Sequence, residues 1–163
     1  MQDVRIIPAS FIEQVVFVLR GIELDPCASP SAFVPAARQY FETHDGLSQP
    51  WEARTIFCIP PYSLADEFMR KAHSEWLAER ADCIALLVPA KIHTKAFRKI
   101  AGDADIVFLR DRSWFWQNQW SPVGHTAPFS SMVMIFGADD GVIERAWKTW
   151  GWVYISKQMD RSR

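Results

Sequence analysis

Short apolar runs alternate with helical repeats of apolar residues along this chain. The apolar runs cover residues 55–59, 83–88, 105–109 and 131–136. Such runs are typical of strands that are buried on both faces of a sheet. Apolar residues three and four positions apart predict helices over residues 8–20, 63–80, 94–101 and 140–150. Shorter extended segments are predicted at residues 22–24, 38–42 and 152–155.

Strands that alternate with helices favour one α/β domain over residues 1–163. We expect a doubly wound, mostly parallel sheet with helices on both faces. A short connection between late strands favours an antiparallel edge strand, because a parallel crossover needs roughly a dozen residues.

The segment TIFCIPPYS, residues 55–63, is the most informative stretch. Its apolar run stops at Pro60 and Pro61, which donate no ladder hydrogen bonds. Tyr62 follows, and Ser63 stands where a helix N-cap is expected. A rigid loop is thus predicted at the carboxyl edge of the sheet, where open α/β sheets bind ligands. A plain strand-to-helix turn stiffened by prolines is the alternative, and spacing alone does not separate the two.

Composition narrows the class of protein. A chain of 163 residues with 49% apolar and 23% charged residues is long enough for one globular core. It contains neither an apolar run long enough to span a bilayer nor the pattern of a secretory signal. The three cysteines form no Cys-x-x-Cys, which favours a cytoplasmic protein with reduced thiols and disfavours zinc.

The charge is distributed unevenly. The whole chain has a net charge of -1, so overall positive charge does not drive nucleic-acid binding. Residues 91–112 contain six bases and three acids, a local excess of three positive charges. The bases are Lys91, Lys95, Arg98, Lys99, Arg110 and Arg112. This segment could contact phosphates, although a solvated helix face is the common alternative.

Several motifs, taken in order, resemble the phage-type DNA N6-adenine methyltransferases, within the class I, Rossmann-like fold that uses S-adenosyl-L-methionine. The similar segments are LDPCAS (24–29), YFETHDGLSQPW (40–51), IPPYS (59–63), LLVPAKIHTKAF (86–97), FLRDR (108–112) and APFSSMVMIFG (127–137). No single segment is specific, whereas their common order over more than a hundred residues is. The resemblance implies a single domain without a separate target-recognition domain, loose sequence specificity, and phage or prophage origin in a bacterial cell.

The resemblance also implies roles for particular residues. The catalytic motif corresponds to Ile59, Pro60, Pro61 and Tyr62. In the family, a side-chain amide and the following carbonyl accept hydrogen bonds from the adenine amino group, and the aromatic ring stacks on the flipped base. The implied cofactor residues are Asp25, Pro26, Cys27, Ala28 and Asp45. The implied contacts to double-stranded DNA are Lys91, Lys95, Arg98, Arg110 and Arg112, and no metal is expected.

The chain departs from the family pattern most clearly at Ile59, which stands where the family has asparagine; the segment of residues 7–10 and Asp111 are two further departures. Isoleucine accepts no hydrogen bond, so Ser63 and Asp66 become candidates for a substitute acceptor. Three readings stay open on the sequence. The protein is an active DNA adenine methyltransferase, or a weak or inactive homologue that binds without turnover, or a methyltransferase for RNA or another base.

Overall fold

The computed structural model describes residues 7–30, 33–109 and 130–156. Its helices are α1 (Ala9–Leu19), α2 (Ala65–Leu77), α3 (Lys95–Ile100) and α4 (Asp140–Trp150). Its strands are β1 (Ile22–Asp25), β2 (Ala36–Gln39), β3 (Ala53–Cys58), β4 (Ala81–Pro89), β5 (Asp105–Phe108), β6 (Ser131–Phe136) and β7 (Val153–Tyr154). No helix in these ranges is long and apolar enough to cross a membrane.

Local chemistry sets the ends of several helices. α1 ends where Arg20 adopts left-handed backbone with φ 59°. Thr94 is the N-cap of α3, and its Oγ1 accepts a hydrogen bond from the Phe97 amide at 3.1 Å. Asp139 is the N-cap of α4 in the same way, and its Oδ1 accepts a hydrogen bond from the Val142 amide at 2.7 Å. These three helices therefore follow the predicted positions closely.

The strands form one seven-stranded sheet in the order β2-β1-β3-β4-β6-β5-β7. β1 pairs in parallel with β2 and β3, and β3 pairs in parallel with β4. β6 is antiparallel to β4 and β5, and β7 is antiparallel to β5. β1 to β5 thus run in one direction, and β6 and β7 oppose them. The predicted mostly parallel sheet with an antiparallel edge strand is confirmed, with a second antiparallel strand inside the sheet.

Side chains of each strand alternate between two apolar clusters. Ile56 and Cys58 of β3 belong to the cluster that includes α2 and α3. Phe57 and Ile59 belong to the cluster that includes α1 and α4. Because a strand repeats every two residues, neighbouring residues face opposite sides of the sheet. Both faces are covered by helices, as the alternation of elements predicts.

Two predicted boundaries were wrong. The strand expected at residues 38–42 lies at Ala36–Gln39, since Ala36 pairs with Ile22 of β1, and Glu42 starts a 3-10 turn. Ser63 is not an N-cap, because it lies inside the 3-10 turn Tyr62–Leu64 that precedes α2. Pairing and turn geometry, rather than local propensity, decided both boundaries.

Glu75 is a carboxylate in the core, with 1% of its side chain exposed. It accepts hydrogen bonds from Arg80 Nε at 2.5 Å and from the Trp51 amide at 3.2 Å. Lys71 Nζ lies 2.6 Å from the same carboxylate. Burial raises the pKa of Glu75, but the Arg80, Lys71 and Trp51 donors outweigh it and lower the pKa to about 2. Ionised Glu75 therefore joins α2 to the segment that leads into β3.

We expect Glu75→Gln to lower the free energy of unfolding at neutral pH by about 2–3 kcal/mol, because two cations lose their buried counter-ion. The folded pKa lies below the ordinary value of 4.5, so this stabilisation is complete above that value and is lost as pH falls toward about 2. Urea unfolding at about pH 7 and about pH 3 measures both effects, and the difference between wild type and variant should shrink at the lower pH.

Glu144→Gln provides the control for this experiment. Glu144 pairs with Lys148 at 2.5 Å, and about two thirds of each side chain is exposed. Its removal should destabilise the protein much less than Glu75→Gln does, because solvent screens an exposed pair. Equal losses in the two variants would show that Glu75 acts as an ordinary surface charge.

Candidate active site at the carboxyl edge of the sheet

The loop after β1 folds back on itself through Asp25. Asp25 is buried, and its Oδ1 accepts a hydrogen bond from the Cys27 amide at 2.9 Å. The Asp25 carbonyl accepts from the Tyr40 amide, and the Tyr40 carbonyl accepts from the Ala28 amide, both at 2.9 Å. Asp25 therefore shapes the loop that contains Pro26, Cys27 and Ala28.

Gly46 holds a second loop against this one. A Cβ added at Gly46 would lie 1.8 Å from the Pro26 carbonyl oxygen, so only glycine fits this contact. Trp51 Nε1 donates to the Gly46 carbonyl at 2.8 Å. The neighbouring Asp45 is exposed and has left-handed backbone with φ 50°. Asp45 therefore lies beside the Asp25 loop, as the cofactor assignment requires.

The chain after β3 turns through its two prolines. Pro60 is buried, and Pro61 and Tyr62 are half-buried. The Pro61 carbonyl accepts from the Leu64 amide at 2.9 Å and closes the 3-10 turn. Among the loop and turn amides that the structure describes, none donates a hydrogen bond to the Pro60 carbonyl.

A cavity of about 240 Å³ lies beside this turn, at the ends of β3 and β4. Its wall is formed by Tyr62, Ser63, Ala65, Asp66, Glu67, Met69, Pro89, Lys91 and Thr94. One side of the cavity therefore carries two carboxylates from the start of α2, and the other carries a lysine. Sequence reasoning assigned no site role to Glu67, which stands in no motif, or to Thr94, which lies within the 86–97 segment; only the fold brings both to this wall.

Ile59 does not share this cavity. Its side chain is 5% exposed and belongs to the apolar cluster on the α1 side of the sheet, whereas α2 and α3 cover the other side. The position that holds asparagine in the family is here part of the core. Ser63 and Asp66, the two candidates for a substitute acceptor, both line the cavity next to Tyr62.

The basic candidates fall into two groups. Lys91, Lys95 and Arg98 are exposed on or next to α3, and Lys91 also lines the cavity. Arg110 and Arg112 lie outside the described residues. Within residues 7–30, 33–109 and 130–156, no group of three or more His, Cys, Asp or Glu side chains is placed to hold a metal ion.

Pairing brings the loops together at the switch point of the sheet. β1 and β3 are parallel neighbours with Leu24 opposite Ile56, while the chain after β1 leaves for β2 on the other side. In open α/β sheets, ligands bind where the strand order reverses in this way. The fold is a Rossmann-like doubly wound sheet, and the two loops meet at its switch point.

Comparison with known proteins gives the family. The family model described as DNA N-6-adenine-methyltransferase (Dam) matches residues 2–154. Since the match spans nearly the whole chain, the protein belongs to this family of DNA adenine-N6 methyltransferases. The resemblance seen in the motifs is confirmed, and with it a reaction that uses a cofactor of the S-adenosylmethionine type and a DNA substrate.

Two further comparisons complete the findings. A search of the curated proteins gives no match. Among solved structures, the crystal structure of 23S rRNA methyltransferase ErmE is similar to this chain, with 10% sequence identity and a TM-score of 0.48. That similarity covers 88% of this chain and 76% of ErmE.

We expect Gly46→Ala to weaken binding of S-adenosylhomocysteine about tenfold or more, because the new methyl group would push the Asp45 loop away from the Pro26 carbonyl. Isothermal titration calorimetry measures the affinity. Gly102→Ala is the matched control, since no atom lies within 4 Å of a Cβ added there. Unchanged affinity in Gly46→Ala would remove these two loops from the cofactor site.

Proposed function

We propose that the protein methylates adenine N6 in double-stranded DNA and holds the flipped base at the cavity beside Tyr62. One observation carries the proposal: Tyr62, at the end of the Pro60-Pro61-Tyr62 turn, lines a cavity that also contains hydrogen-bond acceptors. The carboxyl ends of β1 and β3 lie side by side, so a cofactor held at β1 would be adjacent to this base. The proposed place of action is the cytoplasm of a bacterial cell that carries the phage or prophage gene.

The cofactor side consists of the loops at Asp25 and Asp45. S-adenosylmethionine supplies an electrophilic methyl group when it is bound. The folded Asp25 loop brings Pro26, Cys27 and Ala28 to this edge of the sheet, and the exposed Asp45 carboxylate offers an acceptor for hydroxyl or amino groups. Such an acceptor suits the hydroxyl and amino groups of the cofactor.

The adenine side must make a weakly basic amino nitrogen more nucleophilic. Its lone pair is delocalised into the ring, and acceptors for the two amino protons favour the geometry that attacks a methyl group. We assign these acceptors to the Pro60 carbonyl and to the Asp66 carboxylate. Asp66 lines the cavity together with Tyr62, whose ring is assigned to stacking on the base. Asp66 thereby compensates for the apolar Ile59.

The DNA backbone is assigned to the basic side of the cavity. Lys91, Lys95 and Arg98 are exposed next to it, and Arg110 and Arg112 complete the set predicted from the sequence. Phosphate contacts position a duplex without reading its sequence. Phosphate contacts of this kind are expected to give loose sequence specificity.

Nucleoside analysis tests this function. Wild type incubated with labelled S-adenosylmethionine and unmethylated duplex DNA should place label in N6-methyladenine. Asp66→Ala should lower kcat about 10²-fold, because the amino group loses an acceptor. Asp66→Asn keeps an acceptor oxygen, so its kcat should fall much less. Asp82→Ala, which removes an exposed carboxylate at the opposite end of β4, is the control and should not change the rate.

The outcomes separate the open readings. No label in DNA at enzyme concentrations comparable to the substrate would contradict the proposed activity. Label in RNA, or in another base of DNA, would instead support a related methyltransferase with a different substrate. Equal rates for wild type and Asp66→Ala would remove Asp66 from the site.

A second candidate function is binding with little or no turnover. The burial of Ile59 in an apolar cluster favours it, since neither that side chain nor its position offers an acceptor to the base. In this case the cofactor and DNA still bind, and the methylation rate stays low.

Ile59→Asn distinguishes the two candidates. An amide in this apolar cluster should lower the free energy of unfolding by about 2–4 kcal/mol. If the missing asparagine limits the rate, N6-methyladenine formed per folded molecule should rise despite this loss. Folded fraction is measured by circular dichroism and methylation by the nucleoside analysis. A rate per folded molecule that stays the same or falls would show that position 59 does not limit catalysis.

A further inference from the structure

The turn between β4 and α3 presents an isolated apolar side chain at its tip. Ile92 is 55% exposed and stands between the exposed Lys91 and His93. The turn is closed by a hydrogen bond from the Thr94 amide to the Lys91 carbonyl at 3.2 Å. Ile92 and His93 are therefore the two central residues of a β-turn.

This turn is held on both sides. The Lys91 amide donates to the Pro89 carbonyl at 2.8 Å, at the end of a strand in which residues 83–89 are buried. Thr94 caps α3 through the Phe97 amide at 3.1 Å. A β-branched side chain has few rotamers, so Ile92 loses little conformational entropy when it is buried by a partner.

The surroundings of Ile92 indicate what that partner is. Lys91 and Thr94, on either side of the Ile92–His93 pair, both line the cavity that contains Tyr62. Lys91, Lys95 and Arg98 supply positive charge along the same turn and helix. An apolar tip among cations, at the rim of a base-sized cavity, matches a DNA duplex, which has anionic backbones and an apolar stack of bases between them.

Leu64, an exposed apolar side chain next to Tyr62 and Ser63 of the cavity wall, fits a duplex less well. Leu64 is 39% exposed, but it lies in the turn that leads directly to Asp66 and Glu67. Carboxylates repel phosphates, so this side of the cavity disfavours the DNA backbone. The charge asymmetry across the cavity places the duplex on the side of Lys91 and Ile92.

We propose that Ile92 is a wedge that enters the base stack and fills the gap left by the flipped adenine. This inference rests on the proposed function, which requires a base to leave the duplex. Extrusion costs the stacking of one base, and an apolar side chain in the gap restores part of that contact. Ile92 is thus a positioning residue, which acts on the DNA and does not touch the reacting atoms.

The test uses a duplex with one central abasic site, which contains the gap in advance. Fluorescence anisotropy should show that wild type binds this duplex about tenfold more tightly than the intact duplex of the same sequence. Ile92→Ala should reduce this preference to nearly one, and Ile92→Leu should retain most of it. Leu77→Ala, a truncation of a side chain that is 57% exposed at the far end of α2, should leave the preference unchanged.

Methylation gives a second readout that separates the wedge from general damage. Ile92→Ala should slow methylation of double-stranded DNA about tenfold and leave single-stranded DNA unaffected, since a single strand needs no wedge. Equal loss on both substrates, or no abasic preference in wild type, would overturn the inference. The two readouts can also disagree. If wild type does not methylate DNA but prefers the abasic duplex, and Ile92→Ala removes that preference, the proposed activity is contradicted and the role of Ile92 is supported.

Discussion

Parallel pairing of β1, β3 and β4 is the constraint on which the candidate site depends. Parallel neighbours end at the same edge, so the Asp25 loop, the Pro60-Pro61-Tyr62 turn and the Lys91–Thr94 turn are brought together from distant parts of the chain. Antiparallel β6 begins at this edge, since Ser131 pairs with Pro89. The residues proposed to contact the cofactor, the base and the phosphates lie at one edge because of this alignment of strand ends.

A second constraint is the alternation of side chains along β3. Cys58 faces α2 and α3, and Ile59 faces α1 and α4, because successive residues of a strand point to opposite faces. The position that corresponds to the family's asparagine by motif resemblance is buried here, and burial favours an apolar residue. The carboxylate of Asp66 is on the cavity side, which makes a transfer of the acceptor role physically reasonable. The turn at Pro60 and Pro61 and the position of Tyr62 do not depend on which residue stands at position 59.

The hydrogen bonds that hold the site loops in place begin well away from the site, at Glu75. Glu75 binds the Trp51 amide, the Trp51 indole binds the Gly46 carbonyl, and Gly46 contacts Pro26. The C-terminal half of α2 is thereby connected to the first loop of the sheet through hydrogen bonds and one close backbone contact. Such connections fix loop positions with the precision that methyl transfer needs.

The sequence by itself determined the class of fold, the strong strands and the helices, because hydrophobic periodicity reports which face of each element is buried. It also determined the family, through motifs whose order survives the loss of asparagine at Ile59. Tertiary structure alone decided the position of β2, the 3-10 turn at Ser63 and the buried charge of Glu75, since each depends on a partner distant in the chain. It likewise decided that Asp66, Lys91 and Tyr62 share one cavity, because only the packing of α2 and the β4–α3 turn at the sheet edge brings them to one wall.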